Sequence, residues 1–339
     1  MRFRIGLVRR GLALPPGELI RRARRLTVRV AHDLRQRVQD ALGGEGISIP
    51  GALVEQALYG PEAVLPVAWT EDCDLGPERD TLLDAARHVL AHRFDLLGSG
   101  HVTVDYSLRA AGLHGHRYNG SPGQDAAEAQ LHRMEHLLGT SIEGYDPIDW
   151  HIDFKSGYRW DPDQWFSAVA WGHLPGVDVK VPWELSRFQH LGVLGLTHRL
   201  VPDSPEGEAA SVELRLQLVD WLTANPVRRG VNWAMPMDVA LRGINWLMAM
   251  ELFRNVVEPD QELRTLLTAA LVRHGRHIEA NLEYHPERSG NHYVSNALGL
   301  LALGAALPGL AEADRWVVFA LQELESQIEN QVHPDGVDV

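Results

Sequence analysis

The stretch SGNHYVSNALGLLALGAALPG, from Ser289 to Gly309, begins with polar residues and continues as an almost wholly apolar run. An N-cap accounts for one polar residue, Ser289 or Asn291, but leaves His292 and Tyr293 unexplained. Side chains in a first helical turn point back toward the helix N-terminus. An amide, an imidazole that titrates near neutrality and a phenol placed there could abstract a proton beside a carboxylate. Asn291 and His292 are therefore candidate catalytic residues, and Tyr293 is a candidate substrate contact.

Two other junctions between a loop and a helix carry polar residues at helical spacing, VPWELSRFQH and RGVNWAMPMDVALRGINW. In the second, Asp238, Arg242 and Asn245 follow one another at i, i+4 and i+7, on a stripe beside an apolar one. Either this is an internal ion pair worth about 0.2–0.5 kcal/mol, or Arg242 or Asn245 binds an anionic ligand. Glu184 and Arg187, three residues apart in the first junction, leave the same two interpretations open.

Eight of the ten tryptophans fall between Trp150 and Trp246, most of them beside polar residues. The segment DWHIDFKSGYRWDPDQWF is too polar to be simple core. A rigid ring with an N–H donor on a wet surface suits stacking against a sugar ring. The alternative is that tryptophans fasten a long loop onto the helices. Trp150, Trp233 and Trp246 are candidate substrate-binding residues on the first interpretation.

Helical periodicity dominates the chain after residue 78, and the alternation typical of strands is almost absent. The segment from Ser99 to Asp178 is predicted to be irregular. Helices joined by short turns indicate an all-α stack of helical hairpins. The predicted helices are Glu78–Gly98, Trp183–Leu200, Glu208–Thr223, Pro236–Arg254, Gln261–Glu283, His292–Leu307 and Ala311–Gln331.

The polar junctions recur at intervals that fit one helix out and one helix back. Trp183 to Trp233 is 50 residues, and Trp233 to His292 is 59 residues. If hairpins pack side by side, every second helix starts at the same end of the stack. The spacing therefore predicts that the junctions share one rim, where a cleft is expected.

Composition excludes several classes of protein and cofactor. The net charge of −13 over 339 residues argues against nucleic acid as a partner, and no apolar run is long enough to span a membrane. Cys73 is the only cysteine, which excludes an intrachain disulfide and a cysteine zinc site. No H-E-x-x-H or similar ligand spacing occurs, so neither a metal nor another cofactor is predicted.

The start of the chain, Met1 to Arg37, is strongly basic. Arginines interrupt every apolar run there, so a signal peptide is not predicted, and a cytoplasmic or periplasmic location stays open. The pattern favours a basic amphipathic helix packed on its own domain or a neighbour, over one bound to an anionic surface. We divide the chain into this helix with irregular connecting structure, residues 1–78, and a helical domain, residues 79–339.

Several motifs together resemble a known family. IDWHIDFKSGYRWD, DVKVPWELSRFQHL, GVNWAMPMDVALRGINWL, NHYVSNALGLLALGAALP and QVHPDG occur in that order, and HRFDLLGSG precedes them. They are similar to the N-terminal helical domain of the heparinase II/III-like polysaccharide lyases. The resemblance implies an incomplete (α/α) toroid followed by a C-terminal β-sandwich. It also implies β-elimination between C5 and C4 of a uronate in an acidic polysaccharide.

The resemblance also implies roles for particular residues. The family's asparagine that neutralises the uronate carboxylate falls on Asn291, with His292 beside it. Hydrogen bonds to that carboxylate would stabilise the enolate-like intermediate formed when the C5 proton leaves. The residues expected to line the helical side of the cleft are Arg187, Asn232, Arg242, Asn245 and Trp246.

Two family features are expected to be missing from these 339 residues. The family's acid–base tyrosine follows the segment matching HPDG, but this sequence ends at Val339, and Tyr293 is not that tyrosine. The β-sandwich, which lends a histidine to the cleft, is the second. We therefore expect a fragment or shortened form that binds better than it cleaves. The alternatives are a non-catalytic glycan-binding or scaffolding domain in exopolysaccharide assembly, and a glycoside hydrolase using Glu184 and Asp238.

Overall fold

The computed structural model describes residues 27–28, 30–38, 40, 75–118, 123–285 and 289–332. The chain divides into two compact units, Met1–Ile49 and Pro50–Val339. In the first unit the described residues are helical and expose Val28, Leu34 and Val38. The predicted connecting structure after Gly44 lies mostly outside the described residues, and the domain boundary at residue 78 stays a prediction.

The second unit is mainly helical. Among the described residues its helices are α1 (Glu78–Leu90), α2 (Gln124–Leu138), α3 (Lys180–Ser186), α4 (Leu191–Leu200), α5 (Pro205–Ala224), α6 (Pro236–Leu252), α7 (Arg254–Val257), α8 (Gln261–Ala280), α9 (Asn291–Ala306) and α10 (Ala313–Gln331). Short antiparallel strand pairs join β1 (Arg93–Phe94) to β2 (Val102–Thr103) and β3 (Ile152–Asp153) to β4 (Tyr158–Arg159). Ser204 and Asp260 cap α5 and α8 by accepting hydrogen bonds from backbone N–H groups.

The helices form two layers. In one layer α1, α4, α6 and α9 lie side by side in that order. In the other layer α2 packs on α5, α5 is joined to α8 by an Arg215–Asp260 ion pair, and Arg276 of α8 pairs with Glu312 beside α10. Cross-layer packing of α4 on α5, of α6 on α8, and of α9 on α8 and α10 encloses the apolar core. The fold is all-α, an incomplete (α/α) toroid, as predicted.

The layer of α4, α6 and α9 consists of parallel helices. Gly299 of α9 lies against Ala240 of α6, and one turn further along Gly243 of α6 lies against Leu303 of α9. Because both contacts advance in the same direction, the N-terminal ends of α6 and α9 lie at one edge of the layer.

The predicted helices are found with shifted ends, and three predictions were wrong. The helix predicted over Glu78–Gly98 ends at Leu90, and Arg93–Phe94 form strand β1. The region from Ser99 to Asp178 contains the 15-residue helix α2. The single helix predicted over Trp183–Leu200 is divided into α3 and α4, because Phe188 adopts a left-handed backbone conformation, with φ of 61°. A helix cannot continue through such a residue.

Candidate active site

The loops before α3, α6 and α9 and the first turns of these helices form one surface, which we call the rim. Trp183, in the first turn of α3, donates from Nε1 to the Val231 carbonyl, in the loop before α6, over 2.9 Å. Arg187, directly after α3, donates from Nε to Asp238 Oδ1 of α6 over 2.6 Å. The N–H of Met237, in the first turn of α6, donates to Glu283 Oε2, in the loop before α9, over 2.9 Å. The structure therefore brings together the polar junctions whose spacing predicted a shared edge.

Glu283 is the centre of a polar cluster on the rim. Its Oε1 lies 2.8 Å from His292 Nδ1, and its Oε2 also accepts from Asn296 Nδ2 over 3.1 Å. Asn296 is fully buried in α9 and returns the interaction, since its Oδ1 accepts from the Glu283 N–H over 2.8 Å. A carboxylate at the first turn of α6 also interacts favourably with the helix dipole. These contacts fix the carboxylate in position.

This geometry determines the tautomer of His292. An ionised carboxylate can only accept hydrogen bonds, so the proton of the neutral imidazole resides on Nδ1. Nε2 is then left with a lone pair. The side chain of His292 is 43% exposed, and Asn291 beside it is exposed. The rim therefore presents an oriented base next to an amide donor.

The structure corrects the predicted cap of α9. Gly290 is the N-cap residue, and α9 begins at Asn291 without a side-chain cap. Ser289 does not cap the helix either, because its hydroxyl donates to the His285 carbonyl over 3.1 Å. The polar side chain of Asn291 is therefore not needed to start the helix.

Tyr293 is not placed for the predicted contact with substrate. Its side chain is 3% exposed and packs edge-to-face on Tyr284. Burial, together with a hydrogen bond to Glu323, raises the pKa of the Tyr293 phenol well above its usual value. This tyrosine joins α9 to α10 in the interior, and the prediction that it binds substrate is corrected.

Arg187 lies between two carboxylates. It contacts Glu184 Oε1 as well as Asp238 Oδ1, and its side chain is 13% exposed. Burial raises the pKa of Asp238, while Arg187 opposes that change. Because both acids are bound to one guanidinium, they do not flank an open cleft as a glycoside hydrolase requires. The charge of Arg187 is paired with these two carboxylates, and its role in binding an anion stays a prediction.

Arg242 was predicted to face the cleft, and the structure corrects this. Its side chain is fully buried and donates from Nε to His274 Nε2 over 2.9 Å. Its guanidinium carbon lies 4.1 Å from the ring centroid of Trp221, and its Nη2 donates to the Asn232 carbonyl. Burial lowers the pKa of Arg242 to about 9. Arg242 therefore connects α6 to α8 and to the loop that carries Asn232, instead of binding a ligand.

Other predicted cleft residues are also interior. Trp150, Asn232, Trp233 and Trp246 are at most 1% exposed. Asn232 Nδ2 donates to the Trp150 carbonyl over 2.8 Å, and this hydrogen bond connects the loop before α6 to the loop that carries Trp150. The predicted sugar contacts of these four side chains are therefore corrected, because the side chains are buried under the surface. Asn245 is half-buried and donates to the Arg187 carbonyl over 2.7 Å, which also holds α6 to α3.

A family model described as Heparinase II/III N-terminus matches residues 124–339, which include α2 to α10 and the whole rim. The chain belongs to this family. A heparin-sulfate lyase of Bacteroides stercoris is 24% identical over 207 residues, which are 55% of this chain and 29% of that protein. The chain therefore spans less than a third of that relative's length.

Solved structures of two relatives are also similar. A heparinase III shares 18% identity over 86% of this chain and 41% of its own, with a TM-score of 0.43. A heparan sulfate lyase HepC mutant from Pedobacter heparinus shares 19% identity over 77% of this chain and 36% of its own, with a TM-score of 0.39.

Three residues relevant to the site were not selected from the sequence. Glu283 was assigned to the end of a helix, although the structure places it in the loop before α9. Asn296 follows His292 by four residues and so shares its helix face, a spacing that could have drawn attention to it. Trp171 was not separated from the other tryptophans, yet its side chain is 43% exposed.

The described residues contain no group of three or more His, Cys, Asp or Glu side chains arranged to hold a metal ion. Within the same part of the chain, no helix combines the length and apolar character needed to cross a membrane.

Proposed function

We propose that the rim is the substrate-holding and proton-abstracting side of a polysaccharide lyase, which acts by β-elimination on a uronate-containing acidic polysaccharide. Membership of the Heparinase II/III N-terminus family supports the reaction class. The observation that carries the proposal is the Glu283–His292 pair beside the exposed amide of Asn291. These are the groups that removal of a proton next to a carboxylate requires.

In the proposed reaction each of these side chains has a separate task. His292 Nε2 takes the proton from C5 of the uronate. The Asn291 amide donates a hydrogen bond to the C6 carboxylate, where negative charge grows as the proton leaves. The electron pair forms the C4=C5 double bond, the bond from C4 to the glycosidic oxygen breaks, and that oxygen takes a proton from water.

Glu283 would act through His292. By accepting the Nδ1 proton, its carboxylate keeps Nε2 available as a base and stabilises the imidazolium that forms. A buried carboxylate performs the same task for the histidine of Ser-His-Asp triads. We therefore assign Glu283 as a positioning residue.

The polymer is proposed only as a class. Relatives are described as acting on heparin sulfate and heparan sulfate, and this chain spans part of their length. The C-terminal β-sandwich implied by the family resemblance stays a prediction, as does its contribution to the cleft.

The proposal is tested by following the ultraviolet absorbance of the new conjugated double bond while the chain is incubated with heparan sulfate, heparin, hyaluronan, alginate and polygalacturonate. Elimination creates this absorbance, and hydrolysis does not. We expect a rise with at least one polymer. Binding of a polymer with no rise would contradict the proposal and assign the chain to the second candidate, a non-catalytic glycan-binding domain.

A further inference from the structure

Trp171 differs from every other tryptophan that the structure describes. Eight of those nine side chains are at most 7% exposed, whereas Trp171 is 43% exposed. A tryptophan can bury 150–250 Å² of surface, and leaving much of it in water forgoes that stabilisation. The exposed ring is therefore available for contact with a ligand or partner.

The loop that carries Trp171 is held on both sides. Trp160 Nε1 donates to the Ala170 carbonyl over 2.9 Å, and the Tyr118 hydroxyl donates to the Pro175 carbonyl over 2.8 Å. Gly172, with φ of 66°, allows the backbone to turn directly after the tryptophan. A fixed loop presents the ring without a large ordering cost on binding.

The position of Trp171 places it on the rim. Its ring meets Trp183 of α3 at 70°, with centroids 5.7 Å apart, so Trp183 leaves at least one broad face of Trp171 uncovered. Lys180 is exposed one turn before Trp183 and on the same side of α3. An exposed aromatic face, with a lysine on the helix that it packs against, suits a sugar ring that carries an acidic group.

Trp171 lies at the other end of the rim from His292. Contacts lead from Trp183 of α3 through Arg187 and Asp238 to α6, and then through Glu283 to α9. Two helix spacings of roughly 8–10 Å each separate α3 from α9. A ligand that reaches both must be a chain of several sugars.

We propose that Trp171, together with Lys180 of α3, is a sugar-stacking subsite that binds an acidic polysaccharide at a distance from the residues that break the bond. The proposal rests on the proposed function for the identity of the ligand. It adds a binding role that leaves the chemistry at His292 unchanged, and it gives the chain a preference for polymers over short oligosaccharides.

The test compares wild type with Trp171→Ala, Trp171→Phe and Leu321→Ala by electrophoresis through native gels that contain each of the five intact polymers. Leu321 is 53% exposed on α10 and controls for loss of an exposed apolar side chain. We expect Trp171→Ala to weaken binding of at least one polymer about tenfold or more, Trp171→Phe to retain part of it, and Leu321→Ala to match wild type.

Equal migration of wild type and Trp171→Ala in every gel would overturn the subsite, including the case in which neither is retarded. A change in sedimentation of Trp171→Ala without a change in polymer binding would also overturn it, because the ring would then contact a second copy of the chain. Failure of the proposed function gives a different result, namely retained polymer binding that depends on Trp171 without formation of the double bond.

Discussion

At the scale of single residues, the chemistry of the rim depends on which polar side chains remain exposed to solvent. Arg187 and Arg242 are engaged by neighbouring protein groups, so their charges are not presented to a ligand. Asn291 and His292 remain partly in solvent, and His292 is oriented by Glu283. The proposed catalysis therefore rests on a small group of side chains at the start of α9.

Replacement of Asn291 separates catalysis from stability. Because α9 begins without a side-chain cap and Asn291 is exposed, Asn291→Ala should change the free energy of unfolding by less than about 0.5 kcal/mol. Loss of one donor to the growing negative charge should lower kcat about 100-fold or more. Initial rates and denaturant unfolding measure the two effects. A fall in stability that accounts for the lost activity would refute the assigned role.

Replacement of Glu283 tests its positioning role. Glu283→Gln removes the charge that holds the Nδ1 proton, and we expect kcat to fall about 100-fold or more with little change in KM. Glu279→Gln is the matched control, because Glu279 pairs with Arg315 on an exposed surface. Similar kinetics for both variants would show that Glu283 has no special relation to His292.

The candidate residues show which features of the site can be predicted from the sequence. Asn291 and His292 could be selected because their polarity exceeded what a cap needs. The tryptophans could not be sorted by sequence, because Trp171 follows the apolar run Ala168–Ala170 and is exposed, whereas Trp150 lies among polar residues and is buried. Local polarity does not reveal whether a loop folds back over the ring.

At the scale of elements, small residues determine how closely α6 and α9 approach. A Cβ atom added to Gly299 would lie 2.6 Å from Ala240 Cβ and 3.0 Å from Ala240 Cα. The backbone of α6 cannot easily move away from such an added Cβ atom. This close contact keeps the N-terminal ends of both helices in register, and Glu283 bridges those ends.

A pair of glycine variants tests this packing. Gly299→Ala should destabilise the protein by about 1–3 kcal/mol, because the new methyl group overpacks the interface. Gly192→Ala, in α4, meets no atom within 4 Å and should be neutral or stabilising by up to ~1 kcal/mol. Denaturant unfolding of both variants measures the difference. If Gly299→Ala were as stable as Gly192→Ala, the contact would not determine the register.

The helices could largely be predicted from apolar periodicity, and the exceptions have physical causes. Helix α2 was missed because its buried face includes Gln130, whose amide donates to Asp220 over 2.6 Å, so the apolar pattern is interrupted. The division between α3 and α4 depends on the left-handed backbone conformation of Phe188, which is not expected for a phenylalanine.

At the scale of the whole molecule, enclosed titratable groups make folding stability depend on pH. Burial lowers the pKa of several histidines among the described residues, to about 4 in two cases and about 3 in a third. The histidines are His151 and His190 near 4, His277 near 3, and His274 far below its usual value. Asp149 and Asp220 act in the opposite direction, because burial raises their pKa values to about 7 and about 6.

These shifts predict acid lability between pH 6.5 and 4. In that window the unfolded chain takes up protons on the four histidines, whereas the folded protein takes up protons on the two aspartates. The unfolded state therefore binds more protons, and stability should fall by roughly 1–3 kcal/mol per pH unit as pH decreases. Melting temperatures measured at several pH values and fixed ionic strength report this loss of stability. A constant or rising Tm on acidification would contradict the prediction.

The most direct test of the account is exchange of the C5 hydrogen of a uronate polymer in deuterated water, followed by nuclear magnetic resonance. Wild type and His292→Gln should be incubated with the same five polymers. We predict that with at least one polymer wild type introduces deuterium at C5 or forms the unsaturated product, and that His292→Gln does neither while still binding that polymer. Exchange at equal rates in both proteins, or none with wild type, would contradict the claim that the rim removes this proton.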